Sequence, residues 1–324
     1  MKHVFACLVH EDADCVVDLI RNLQFFEPDA EILLYDGSAG SLLEHAPTFE
    51  ELGAVMHPAP RTQTWGRLHD SVFDCLELGR VRFSFDAMTF VDSDQLLAGR
   101  GYVEAVRAAL ERQPQVGVFG TPNPSLGAVW AAAHELRERE LWEPFLERFP
   151  GGLEQQYPAN WIFWPGTVIT GAAGAALCAL RTDPLFAGIL ASSNFASEEI
   201  AFSTVAAALG YKVVPRPWND AWVRWRRPIQ VSEVVAALEE GDAFWLHPVP
   251  RHLDDSSRAY LRSASNEYEG FTPTLSPALT RPPVPARARQ RAADGFFRLL
   301  TKPVDGLAPK AARAALDRAR RAQA

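Results

Sequence analysis

The sequence predicts an α/β domain over residues 1–270, with a mostly parallel central sheet flanked by helices. Three observations predict it. Apolar runs of strand length alternate with amphipathic runs of helix length through the first half, the pattern of parallel strands joined by helical crossovers. Hydrophobic residues make up 48% and charged residues 22% of the 324, which suits one large packed core. From residue 271 the character changes: Pro273, Pro277, Pro282, Pro283 and Pro285 mark 271–288 as a linker or strap, and 289–324 reads as a basic, amphipathic tail.

His3–Val9 is apolar and reads as a buried strand. Asp14–Phe26 sets Val17, Ile20, Leu23 and Phe26 at helical spacing. Glu31–Tyr35 is a second strand, running into Asp36, and Ala54–His57 a third. A helix over Trp65–Leu78 leads to a fourth strand, Ala87–Val91, which runs straight into Asp92-Ser93-Asp94. A helix at Tyr102–Arg112 and a strand at Val116–Phe119 come next, then a Glu- and Arg-rich helical stretch, Ala128–Phe149. Ile162–Thr170 holds a Trp-Pro-Gly turn and predicts a strand or hairpin. Ala172–Leu180 predicts a helix of small residues, and Ser197–Leu209 a helix with Ser197 as N-cap and two glutamates in its first turn. Tyr211–Val214 and Ala243–Leu246 are late strands, the second ending at His247.

Charge is unevenly spread. From Arg281 onward there are eleven Lys/Arg and three Asp/Glu, a tail of +8; the net charge of −8 then leaves −16 on residues 1–280. So acidic a body excludes nucleic acid as a partner, because duplex binding is dominated by phosphate neutralisation. The tail admits two readings: docking on an anionic membrane surface, or strapping onto the acidic body. The four cysteines show no metal-ligand spacing, which fits a reducing compartment. The apolar run ending at His10 is too short for a span or a leader, so the expected location is cytoplasmic, with the tail as the one route to peripheral contact with a membrane.

Two carboxylates at Asp92 and Asp94 leave an apolar strand together, where ligands of open α/β sheets bind. Mg²⁺ or Mn²⁺ takes such oxygen ligands and shares them with substrate phosphates. The plainer reading is a pair of turn-forming aspartates. His247 offers a third ligand, or is a buried histidine bonded to a backbone carbonyl. Arg251 has the guanidinium geometry for a diphosphate. Arg61 and Arg67 flank Trp65-Gly66 and either touch phosphate or are solvated. Glu198 and Glu199 either favour the dipole of their helix or supply a base for an acceptor hydroxyl. Their side chains diverge by about 100°, so one of the two points into a cleft. Trp164, Gly166 and Trp218 are candidates for an acceptor groove, or simply pack.

The string Phe85 to Asp94 (FDAMTFVDSD) resembles the Asp-x-Asp segment of the GT-A-fold glycosyltransferases, a Rossmann-like fold. The strand ending at Asp36 is similar to the place where that fold meets the nucleoside, and His10 ends the first strand where the base lies. Thr64-Trp65-Gly66-Arg67 is similar to a segment of mucin-type branching β-N-acetylglucosaminyltransferases. So is Ser197-Glu198-Glu199 with Phe202, Ser203 and Thr204, where the second acid is the base. The resemblance covers about residues 3–262. It implies a nucleotide-sugar donor, a UDP-sugar by analogy, and a glycan or other hydroxyl acceptor, lipid-linked or small. It further implies Mn²⁺ or Mg²⁺ at Asp92, Asp94 and His247, a donor site including Ser93, Trp65, Arg61 and Arg251, and inversion with Glu199 as base.

Two other classes remain open. A nucleotidyltransferase of related fold would show a Gly-rich, basic loop after the first strand, whereas residues 10–14 (HEDAD) are acidic. A non-catalytic glycan-binding protein would have little use for the full set of acids. No Gly-x-x-x-x-Gly-Lys-Ser/Thr loop, dinucleotide fingerprint or Gly-x-Ser-x-Gly elbow is present.

Overall fold

The computed structural model describes residues 1–10, 12–38, 40–64, 66–121, 140–150, 162–192, 197–225 and 227–271. Trp65, residues 128–139 of the expected Glu/Arg-rich helix, and the strap and tail from residue 272 lie outside those residues. The strands are β1 (His3–Val9), β2 (Glu31–Asp36), β3 (Ala54–Met56), β4 (Ala87–Asp92), β5 (Leu96–Leu97), β6 (Val116–Thr121), β7 (Phe163–Thr170), β8 (Lys212–Val214) and β9 (Trp245–Leu246). Seven of them form one sheet in the order β3-β2-β1-β4-β7-β6-β8, parallel except for β7, which runs antiparallel to both its neighbours.

The helices are α1 (Ala13–Phe26), α2 (Ala46–Glu51), α3 (His69–Arg82), α4 (Tyr102–Arg112), α5 (Gly171–Ala179), α6 (Pro184–Ser192), α7 (Ser197–Ala208), α8 (Val231–Glu240) and α9 (Ser256–Ala264), with a further helical stretch at 140–146. Side chains alternate along β1, so Phe5, Cys7 and Val9 pack into one layer with α1, α4, α8 and α9. Val4 and Ala6 pack into the other, with α3, α5, α6 and α7. Both faces of the central strands are therefore buried, which is why β1 and β4 read as continuous apolar runs. Among the described residues, no single helix is long and apolar enough to cross a membrane.

Several expected boundaries move, each for a local reason. The Asp12 side chain accepts from the N–H groups of Asp14 and Cys15, so α1 begins at Ala13. The Arg67 N–H bonds the Thr64 carbonyl and Gly66 has φ +75°, and α3 begins only at His69. Gly79 does not end α3. It gives room to Met88, whose Cε would lie 2.4 Å from an added Cβ. Ser197 is the first residue of α7 rather than its cap. The expected strand over 243–246 shrinks to β9, which leaves the main sheet and pairs with β5. Helices α2, α6, α8 and α9 were not among the sequence expectations.

Strand order reverses between β1 and β4: the chain winds outward through β2 and β3, then returns to β4 on the other side of β1. Ligands of such sheets bind beyond the carboxyl ends at this switch. Leu8 of β1 pairs with Asp92 of β4 there, and Val9 pairs with Asp36 of β2.

Candidate active site

β4 is buried until its final residue, Asp92, and the chain then turns, with the Gln95 N–H donating to the Asp92 carbonyl at 2.9 Å. β5 comes at once and pairs antiparallel with β9, Leu96 against Leu246 and Leu97 against Trp245. The residues just before β5 must then lie opposite those just after β9. The Val249 N–H bonds the Asp94 carbonyl at 2.7 Å, closing that register. This small ribbon carries His247 to the two acids.

His247 Nε2 lies 3.4 Å from Asp94 Oδ1 and 3.9 Å from Asp92 Oδ2. One ligating atom from each of the three residues falls within 4.8 Å of the others. Nδ1 bonds the Arg224 carbonyl at 2.7 Å. A carbonyl only accepts, so Nδ1 carries a proton, and this bond turns Nε2 toward the acids. The expected bond of His247 to a backbone carbonyl is present, and it leaves Nε2 directed at the two acids. Arg251 completes the cluster: its Nε donates to Ser93 Oγ at 2.6 Å, and its Nη2 lies 3.1 Å from Asp94 Oδ1.

Burial raises the pKa of Asp92, and the charge of Asp94 raises it further. Burial acts on Asp94 too, but Arg251 and His247 outweigh it and hold that carboxyl well below the usual range. Burial alone would lower His247, and Asp94 and Asp92 reverse the sign. The site is thus built around the carboxylate charge. Asp94 Oδ1 is buried without a well-directed hydrogen bond, although two cationic groups stand near it. Two carboxylates and an oriented imidazole, with that oxygen lacking a well-directed hydrogen bond, fit a hard divalent cation such as Mn²⁺ or Mg²⁺.

Glu198 and Glu199 lie in the first turn of α7. Glu198 is buried, and its Oε2 accepts from the Leu68 N–H at 3.1 Å and the Ser197 hydroxyl at 3.3 Å. Burial raises its pKa, and the charge of Asp92 adds to the rise. His69 Nδ1 meets the same Ser197 hydroxyl at 2.9 Å. Glu199 is partly exposed, and its Oε1 accepts from the Trp164 N–H at 3.4 Å.

The other predicted residues have definite partners. His10 comes directly after β1, and its carbonyl accepts from the Asp12 N–H at 3.2 Å. Asp36 stands at the same sheet edge as Asp92, but its oxygens accept from the N–H groups of Ser38 at 2.8 Å and Leu42 at 2.9 Å. Arg61 pairs with Asp70 and Asp74, each at 2.9 Å, and Arg181 joins Asp74 at 2.6 Å. Trp164 is 4% exposed and stacks near Phe90 and Phe202; with Asp92, Leu8 and Tyr35 it lines a small depression on the α3 side of the sheet. Trp218 packs on Tyr102 and Phe119, in the opposite layer.

Gly166 has φ +77°, and an added Cβ would lie 2.3 Å from Arg216 Nη1. Arg216 was missed by sequence reasoning. Its side chain is fully buried, pairs with Asp220 at 2.6 Å and donates to the Pro165 carbonyl at 2.7 Å. Also missed were Gln95, whose Oε1 faces the Asp92 N–H at 3.4 Å, and the buried pair of Asp18 with Arg258. Asp18 did carry a signal. It lies on the core-facing side of an amphipathic helix, and a charge there requires a buried partner.

No protein-family model matches this chain. No curated protein matches it either. Among solved structures, it is similar to a cytidylyltransferase from Leptospira borgpetersenii, with 8% identity over 85% of this chain and 98% of that one, at a TM-score of 0.38. It is similar to the apo glycosyltransferase GlyE of Streptococcus pneumoniae, with 11% identity over 84% of this chain and 61% of that one, at a TM-score of 0.41. Mouse xyloside xylosyltransferase 1 shares 12% identity over 77% of this chain and 99% of that one, at a TM-score of 0.37. Likenesses at this level assign the chain to no family.

Proposed function

We propose that this protein is a glycosyltransferase, moving a sugar from a nucleotide-sugar donor, by preference a UDP-sugar, to a hydroxyl of a glycan or smaller acceptor. The observation that carries the reading is the convergence of Asp92, Asp94 and His247, with Arg251 beside them, at the carboxyl-end switch of the sheet. Asp92, Asp94 and His247 would hold Mn²⁺ or Mg²⁺. When bound, the cation would neutralise charge on a departing diphosphate. Arg251, 38% exposed and anchored on Ser93, offers its outer N–H groups to the same phosphates. Glu199 is proposed as the base that takes the acceptor proton, by its likeness to the acid of the branching enzymes and its partial exposure at the start of α7. Glu198 serves a different end: its buried carboxylate ties α7 to the start of α3. Single displacement with inversion is the course expected of a base in that position.

A donor screen tests the reading. Melting temperature is measured with Mn²⁺ and a panel of nucleotides and nucleotide sugars, since a ligand that binds only the folded state raises it. The expected result is a rise with one nucleoside diphosphate and its sugar, then release of that diphosphate on turnover. Release of pyrophosphate from a nucleoside triphosphate, with no response to any nucleotide sugar, would make the protein a nucleotidyltransferase instead.

A further inference from the structure

Arg258 lies on α9, far along the chain from Asp92 and Asp94, and its side chain is fully buried. One of its terminal nitrogens pairs with Asp18 of α1, whose carboxylate is also fully buried. The other donates to the Ser93 carbonyl at 3.4 Å. Its Nε donates to the Pro250 carbonyl at 3.2 Å. Those two carbonyls belong to the two segments that bear the cluster. Ser93 sits between Asp92 and Asp94, and Pro250 lies in the short stretch between His247 and Arg251. One planar guanidinium therefore touches both halves of the site from behind, with its orientation fixed by a fully buried carboxylate.

Asp18 is itself held from two sides. Arg262, one turn further along α9, pairs with its other oxygen at 2.6 Å and reaches the Leu253 carbonyl at 3.3 Å. Among the described residues neither of those bonds goes to Ser93 or Pro250, so the two arginines divide their tasks. Arg262 balances Asp18 near the surface, and Arg258 couples Asp18 to the ligand-bearing turns.

We infer that Arg258 is a positioning residue for the cation site: it keeps the Asp92–Asp94 turn and the His247–Arg251 segment in the mutual register that cation binding needs. The inference rests on the proposal that Asp92, Asp94 and His247 bind a divalent cation. Lysine cannot replace this arginine. Its ammonium is a point charge on a flexible stem, whereas the guanidinium supplies donors in fixed directions to three acceptors at once.

The test uses full-length protein and Mn²⁺ alone, titrated by calorimetry. Arg258→Lys is expected to weaken Mn²⁺ binding by roughly 10- to 100-fold, the range for losing a group that orients metal ligands. Arg107→Met, whose ion pairs are with Glu104 and Glu111 of its own helix, is expected to leave Mn²⁺ affinity within about twofold, since mutations without shared partners act independently. If wild type binds Mn²⁺ and folded Arg258→Lys binds it equally well, the inference is overturned and the cation site survives. If wild type binds no Mn²⁺, the cation reading falls and the inference falls with it. Should Arg258→Lys fail to fold, hydrogen exchange on wild type decides. Coupling is reciprocal, so Mn²⁺ must slow exchange in 256–264 as well as in 92–95 and 247–251. Slowing confined to the latter two segments overturns the inference.

Discussion

Replacing Gly166 with alanine is expected to destabilise the protein by about 1.5–4.5 kcal/mol, more than the same change at Gly101. Both glycines have left-handed backbone, φ +77° and +86°, and alanine there costs roughly 1–2 kcal/mol. Restricting the unfolded chain returns about 0.4–1 kcal/mol in each case. The difference lies in the surroundings. Nothing stands within 4 Å of a Cβ at Gly101, whereas at Gly166 it would lie 2.3 Å from Arg216 Nη1 and 2.9 Å from Gln95 Nε2. Arg216 is fully buried, so to move it must give up its bond to the Pro165 carbonyl, a charge-assisted hydrogen bond of about 1.5–3 kcal/mol. Urea unfolding of the two variants reads the gap directly, and Gly166→Ala should exceed Gly101→Ala by about 1.5–3 kcal/mol. Two variants within ~0.5 kcal/mol of each other would show that Arg216 yields freely, and would refute the rigid packing inferred behind the turn.

Two further outcomes are expected. His3 is buried against Thr89, and burial lowers its pKa to about 3, so the folded protein keeps it neutral while the unfolded chain protonates near pH 6.5. A depressed folded pKa gives stability that is present above pH 6.5 and lost as pH falls. Between pH 7.5 and pH 5 wild type should therefore lose about 2 kcal/mol more than His3→Gln, and equal losses in urea titrations would sink that account. Glu199→Gln should cut the rate of sugar transfer by about 10²–10⁴ while the nucleotide-induced rise in melting temperature persists, because a base acts on the acceptor and not on donor binding; unchanged transfer would remove Glu199 from the mechanism.

The fold was legible where one physical signal dominated. β1 and β4 are buried on both faces and so spell themselves out as apolar runs, and α4 matches its expected bounds because its apolar face is regular. The helix α8 was missed for a local reason: its capping box uses Gln230 with Glu233, and glutamine is a poor N-cap signal. α9 had a usable signal in Asp255, whose side chain caps the N–H groups of Ser257 and Arg258. In the site, Asp92 and Asp94 were visible as a motif and His247 as the end of an apolar run. The link between them was not visible, because the β5–β9 ribbon has only two residues in each strand and no periodicity to detect. Arg61 shows the converse limit: a lone arginine near a glycine turn looks available to phosphate, yet α3 presents Asp70 and Asp74 to it one turn apart. Arg258 is meaningful only through partners distant in sequence, and Arg216 joins its near neighbour Asp220 to the distant Pro165 carbonyl, a link that no local pattern encodes.

The most direct test of the central claim is the Mn²⁺-dependent release of nucleoside diphosphate from a nucleotide sugar, compared between wild type and Asp94→Asn. Asp94 is the acid held most firmly in its charged form, by Arg251 and His247, and its Oδ1 is the oxygen without a well-directed hydrogen bond. Asparagine keeps the shape and removes the charge. The account predicts a fall in release on the order of 10²–10³ or more with no rescue by added Mn²⁺, in a variant that still unfolds cooperatively but at a lower temperature, because Arg251 and His247 lose a charged partner. Release at the wild-type rate by folded Asp94→Asn would contradict it.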